Sequence, residues 1–315
     1  MNSSEASARA AVRIYEVSPR DGLQNEAAVV PTAAKAELVA RLVAAGLPDV
    51  EVTSFVRAHW IPQLADAAEL VRLLPDAAES RFWGLVPNQV GLERAIESGI
   101  AGVATFLSAS ETHNKKNVNR TVRESLAGVE EVLAAARADG LRTRAYISTV
   151  FGCPYEGDVA PAATLAIATR LRAAGAEQIV LSDTTGMGTP VQVERIIRTV
   201  IDGGIPLEEL AVHFHDTRGT ALVNALVAWR IGIGTFDASV AGIGGCPYAP
   251  GAAGNLATED IVYLFEEMGV STGVDLEALA DVGHFAAELL GRELPGRYHQ
   301  YHRGARARAA ARAAR

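Results

Sequence analysis

Apolar positions along residues 12–242 follow two alternating periods. Short β-branched or aromatic runs recur: "VRIYEV" (12–17), "VEVTSF" (50–55), "FWGLV" (82–86), "GVATFLSA" (102–109), "RAYISTV" (144–150), "QIVLSD" (178–183), "LAVHFHD" (210–216) and "TFDASVAG" (235–242). Between them lie longer Ala/Leu-rich stretches with helical spacing, such as "TAAKAELVARLVAAG", "VRESLAGVEEVLAAARADG" and "PAATLAIATRLRAAG". Each ends on a glycine suited to a helix C-cap. Parallel strands need helical crossovers, and eight strand–helix units predict a closed (β/α)8 TIM barrel. An open doubly wound sheet is the alternative. Residues 255–295 read as two or three extra C-terminal helices packed on the barrel. The expected organisation is one barrel domain over 12–303, a disordered N-terminus over 1–11 and an Arg/Ala-rich tail over 304–315. That tail is expected to be disordered or loosely helical.

Composition narrows the function classes. The 315-residue chain carries a formal charge of -8, which argues against a nucleic-acid surface. Five arginines (303, 306, 308, 312 and 315) lie in the final stretch 303–315, so the rest is more acidic still. Cys153 and Cys246 stand far apart in no pairing or zinc motif, which fits a reducing cytoplasm. No apolar run suits a signal peptide or a membrane span.

The polar residues concentrate at the ends of the predicted strands. Arg20 and Asp21 follow the first, Glu51 and Ser54 lie in the second, Asp183 ends the sixth, and His213 and His215 lie in the seventh. A barrel gathers the C-terminal ends of all its strands around one mouth, so these residues converge there. In "HFHD", positions i and i+2 put His213 and His215 on one face, where two imidazoles can share a cation. Two hydrogen-bonded histidines in a polar interior are the plainer reading. With Asp21 as a third group, two His and one carboxylate suit non-haem iron, catalytic zinc, or magnesium or manganese; spacing alone does not choose.

Other motifs flank the mouth. "GIGGCPYAPGAAGN" (242–255) is too rich in Gly and Pro for regular structure, and reads as a lid carrying Cys246. Asn255 either lends an amide oxygen to a metal or N-caps the next helix. "SETHNKKNVNR" (110–120) holds two of the chain's three lysines and reads as a solvated charged loop or a phosphate contact. "DTTGMGTP" (183–190) resembles an anion-binding turn, with Asp183 either functional or a turn former. Nucleotide-binding glycine motifs are absent.

Taken in order, "SPRDGLQNE", "EVTSFV", "KKNVN", "FGCPYEG", "SDTTGMGTP", "HFHDTRG" and "GIGGCPYAPGAAGNLATED" resemble the hydroxymethylglutaryl-CoA lyase family over roughly residues 12–292. The resemblance implies that Asp21, His213, His215 and Asn255 bind a divalent cation, Mg2+ or Mn2+. It implies a catalytic arginine in Arg20, a catalytic lid cysteine in Cys246 and acidic site residues in Glu51 and Asp183. It places Gln24 near substrate and makes Asp21 or His213 a proton acceptor. The implied substrate is an acyl-CoA, 3-hydroxy-3-methylglutaryl-CoA, cleaved to acetoacetate and acetyl-CoA, and the resemblance is compatible with a homo-oligomer such as a dimer. Arg218 departs from the family, standing where animal members have tyrosine. A lyase on a related 3-hydroxyacyl-CoA, a Claisen synthase of the same group and a non-catalytic metal-binding scaffold are the competing readings.

Overall fold

A computed structural model describes residues 11–77, 80–245 and 254–313. Eight parallel strands pair in sequence order and close into a barrel. They are β1 (Arg13–Glu16), β2 (Asp49–Ser54), β3 (Arg81–Leu85), β4 (Gly102–Ser108), β5 (Arg142–Ser148), β6 (Gln178–Asp183), β7 (Leu210–Phe214) and β8 (Thr235–Ala238). β1 meets β8 with Tyr15 opposite Asp237, and β7 meets β8 with His213 opposite Asp237.

The crossovers carry α1 (Thr32–Ala44), α2 (Ala67–Arg72), α3 (Gln89–Ser98), α4 (Glu111–Val118), α5 (Val122–Ala138), α6 (Pro161–Ala174), α7 (Pro190–Asp202) and α8 (Ala221–Ile231). Then follow α9 (Thr258–Glu267), α10 (Leu276–Leu290) and α11 (Arg297–Ala313). Apolar faces of strands and helices interlock in one large cluster that includes Ile14, Leu38, Val50, Ile147, Ile179, Val212 and Phe236. That belt between sheet and helices is the main source of stability, because it removes the most apolar surface from water.

The interior of the barrel differs. Smaller clusters around Tyr15 and Trp83, and around Leu85 and Tyr146, share it with buried ionic groups. Arg144 is the largest fully buried side chain among the described residues, its Cζ 3.6 Å from the Tyr15 ring centroid. Buried charges persist only when paired, and this one pairs with Asp237.

Two local expectations are corrected. Residues 111–118 form helix α4 rather than a loop, because Ser110 caps it on His113 N. The buried amide of Asn114 also bonds Ser108 N, Arg120 O and Ser125 Oγ. Asn255 does not cap the following helix, which begins at Thr258 after Ala257. Of the two forms expected for the tail, the helical one is present as far as Ala313: α11 is tied to α10 by Arg306–Asp281 and to the preceding loop by Arg303–Glu293. Alanines there have high intrinsic helix propensity, which supports the extension. Residues 1–10, the bulk of the expected disordered N-terminus, lie outside the described residues.

Candidate active site

β1 ends at Glu16, and the chain turns at once into a single π-helical turn, Ser18–Gly22, that carries Arg20 and Asp21. Glu16, fully buried, shapes that turn. Its Oε1 accepts from Ser18 N at 2.8 Å and from Val240 N at 3.0 Å, and its Oε2 accepts from Thr258 Oγ1 at 2.6 Å. One carboxyl therefore joins the Arg20–Asp21 turn, the turn after β8 and the start of α9. Burial pushes the Glu16 pKa up even though those donors pull it down.

Across the barrel, β7 delivers His213, while His215 lies one residue past the strand's last residue, Phe214, in a bridge with Asn255. Ligand atoms of Asp21, His213 and His215 lie within 4.8 Å of one another. Asn255 completes the ring: its Nδ2 donates to Asp21 Oδ2 at 2.9 Å and to Ile243 O at 3.1 Å. This packing requires glycine at 244, where φ is +130° and a Cβ would stand 2.5 Å from Asn255 Nδ2.

The electrostatics keep the cluster ready for a cation. Burial alone would raise the pKa of Asp21, but Arg20, the two histidines and the Asn255 donor outweigh it and hold the carboxyl well below the usual range. His215 is pushed down to about 3, first by burial and then by His213, so its imidazole is neutral. Two buried atoms in the ring, His215 Nδ1 and Asn255 Oδ1, have no hydrogen-bond partner. An unsatisfied buried acceptor such as Asn255 Oδ1 is costly, and a cation would satisfy it, with His215 Nε2 standing 3.9 Å from Asp21 Oδ2; the residues fit a divalent metal.

Arg20 bridges two carboxylates. Its Nη1 donates to Asp21 Oδ1 at 2.6 Å and its Nε to Glu51 Oε1. Despite the opposing effect of burial, Glu51 and Asp21 raise its pKa, so it is permanently cationic. Gln24 Nε2 also reaches Asp21 Oδ1, at 2.8 Å. Glu51 lies beneath Arg20 and accepts at Oε2 from Tyr15 OH (2.9 Å) and Tyr146 OH (2.8 Å).

Asp183 sits at the end of β6 with its carboxylate turned into its own loop, accepting from Met187 N at 2.9 Å and Gly188 N at 3.0 Å. Those amides are thereby engaged, which removes the expected anion-binding turn. Burial lifts its pKa to about 6, against the pull of the two amides. Arg218 Nη1 donates to Thr185 O and Gly186 O, both at 2.9 Å, and secures the same loop. Cys246 and most of its loop lie outside the described residues. Lys116 stands 4.5 Å from the Tyr155 ring centroid.

Sequence reading missed two members of the site. Asp237 of β8 lies with Oδ2 3.2 Å from His213 Nδ1 and takes the guanidinium of Arg144 on both oxygens. Arg144 Nη1 reaches Tyr146 OH at 2.9 Å. A buried chain of hydrogen bonds thus runs from His213 through Asp237, Arg144, Tyr146, Glu51 and Arg20 to Asp21. The available signal was one charged residue at the start of a strand-like run, Arg144, and one inside another, Asp237.

A closed (β/α)8 barrel with a two-histidine, one-carboxylate cluster at its C-terminal mouth defines the class: a barrel with a candidate cation site where its strands end. The chain belongs to the HMGL-like family, whose model matches residues 11–286. It is 47% identical over 281 residues to the mitochondrial hydroxymethylglutaryl-CoA lyase of Bos taurus, covering 89% of this chain and 86% of that protein. The crystal structure of the Bacillus subtilis HMG-CoA lyase superposes with a TM-score of 0.91 at 45% identity, covering 93% of this chain and 98% of that one. An HMG-CoA lyase from Acinetobacter baumannii, solved with coenzyme A and 3-methylmalate, gives a TM-score of 0.88 at 38% identity, covering 95% and 96%.

Proposed function

We propose that the chain is a carbon–carbon lyase that cleaves 3-hydroxy-3-methylglutaryl-CoA to acetoacetate and acetyl-CoA, with Mg2+ or Mn2+ held by Asp21, His213, His215 and Asn255. The observation that carries this reading is the convergence of Asp21, His213 and His215 in a chain 47% identical to a lyase of that name. When bound, a divalent cation supplies Lewis-acid polarisation of substrate oxygens and lowers the pKa of a hydroxyl beside it.

The reaction takes a proton from the tertiary hydroxyl, develops an enolate on the thioester oxygen and returns a proton to the new methyl carbon. Asp21 is the proposed acceptor in the first step, with His213 holding the cation beside it. Arg20 spends Nε on Glu51 and Nη1 on Asp21, leaving Nη2 as the donor for the enolate oxygen. A fixed cation aimed at developing negative charge costs no reorganisation as the bond breaks. Glu51, held by two tyrosines, keeps Arg20 in place. Gln24 orients Asp21 and borders the substrate, and Asp183 shapes the adjoining wall. Cys246 is the proposed donor of the final proton.

Purified protein incubated with Mg2+ and a panel of 3-hydroxyacyl-CoA esters tests the substrate. The reading expects acetoacetate and acetyl-CoA in equal amounts from the 3-hydroxy-3-methylglutaryl ester, and far slower cleavage of the others. Preferred cleavage of a different ester would move the substrate assignment, and no cleavage of any would remove the lyase reading.

A further inference from the structure

We propose that Asp237 is a positioning residue that fixes the tautomer of His213, keeping the hydrogen on Nδ1 and leaving Nε2 bare for a cation. This rests on the reading of His213 as a metal ligand.

Asp237 is wholly buried in β8, opposite His213 in the strand register. Its Oδ2 lies 3.2 Å from His213 Nδ1 and accepts from Arg144 Nη1 at 3.1 Å, while Oδ1 accepts from Arg144 Nη2. Both oxygens thus accept from one guanidinium, the bidentate pairing of an ionised carboxylate with arginine. An ionised carboxylate only accepts hydrogen bonds, so the hydrogen between the two residues belongs to His213 Nδ1. A neutral imidazole with its hydrogen on Nδ1 has its lone pair on Nε2. Outer carboxylates set the ligating nitrogen of metal-bound histidines in this manner.

Asp237 has no freedom to turn away. Arg144 has its Cζ 3.6 Å from the Tyr15 ring centroid and spends Nε on Gln178 Oε1 at 2.8 Å and Nη1 on Tyr146 OH as well as on Asp237. The same chain of bonds closes through Glu51 and Arg20 on Asp21, so charges alternate from one end of the cluster to the other. A buried acid at a strand centre is costly, and here its second oxygen serves the site directly.

The first test uses metal-free wild type. Two-dimensional 1H–15N spectra of 15N-histidine-labelled protein, with His213 assigned from its loss in His213→Asn, report which ring nitrogen carries hydrogen. The expected state is Nδ1–H; an Nε2–H tautomer would overturn the proposal. The second uses Asp237→Asn. Its one carbonyl oxygen goes to Arg144, and its NH2 group then faces His213 Nδ1 and drives the hydrogen to Nε2. Mn2+ affinity should weaken by about 10- to 100-fold, with a matching loss in kcat and little change in KM. A folded Asp237→Asn protein with unchanged Mn2+ affinity and the wild-type tautomer would overturn the proposal. If that variant fails to fold, the wild-type spectrum still decides it. Wild type that binds no Mn2+ would count against the metal reading, whereas the tautomer result stands apart from it.

Discussion

Asn255 donates its side-chain amide to Asp21 Oδ2 at 2.9 Å across 234 positions of sequence. The bond fixes the amide's orientation: Nδ2 is consumed by Asp21 and Ile243 O, and Oδ1 is left buried without a partner. That unpartnered oxygen is the observation behind the proposed contact of Asn255 with a cation. Asn255→Ala should weaken Mn2+ binding at least about tenfold, as loss of a group that orients a ligand does. The apolar belt between strands and helices should keep its thermal unfolding close to wild type. Calorimetric titration with Mn2+ checks this, and unchanged affinity would remove Asn255 from the ligand set.

Arg20→Lys is expected to be severe. Lysine has one compact ammonium where arginine spreads a planar fork over Glu51 and Asp21, so one carboxylate loses its partner and the donor for the enolate oxygen is lost. The expected loss in kcat is about 100- to 1,000-fold, the cost of removing one donor to a developing oxyanion. Steady-state kinetics should show a smaller change in KM. Near-normal turnover would assign the arginine to structure alone.

The strand–helix alternation made the barrel legible, because period-2 and period-3.6 patterns are written directly in local sequence. All eight strands fall where the apolar runs stand, and Arg20, Asp21, His213 and His215 meet because the barrel has one mouth. Groups that act through a third residue were not legible. Glu16 reads as an ordinary charge before a motif, yet it joins three segments that meet only after closure. Asp237 and Arg144 are single charges in strand-like runs, and nothing local shows that positions 93 residues apart face one another inside the barrel. The α4 segment was misread for a similar reason: its buried amide, Asn114, is indistinguishable in sequence from a solvated one.

Glu259 makes stability depend on pH. Burial raises its carboxyl to about 8; Oε2 accepts from Ala241 N at 2.7 Å, and Oε1 is buried without a partner. The folded chain therefore holds this proton where the unfolded chain, with an ordinary carboxyl, has released it. This group's stabilisation is complete below the unfolded pKa, declines as pH rises through the folded value and then levels off. Glu259→Gln keeps an acceptor for Ala241 N and removes the titration. Its melting temperature relative to wild type should therefore rise between pH 5 and pH 8.5. The same difference at both values would mean that the carboxyl is not held protonated in the fold.

Cation-dependent carbon–carbon cleavage is the central claim, and one measurement meets it directly. Protein stripped by a chelator, with its metal content verified, is assayed for acetoacetate and acetyl-CoA from 3-hydroxy-3-methylglutaryl-CoA before and after titration with Mg2+ or Mn2+. The predicted result is no product from stripped wild type and full recovery on either cation, with His215→Ala remaining folded and recovering only at much higher cation concentration. Full turnover by verified metal-free protein would contradict the roles given to Asp21, His213, His215 and Asn255.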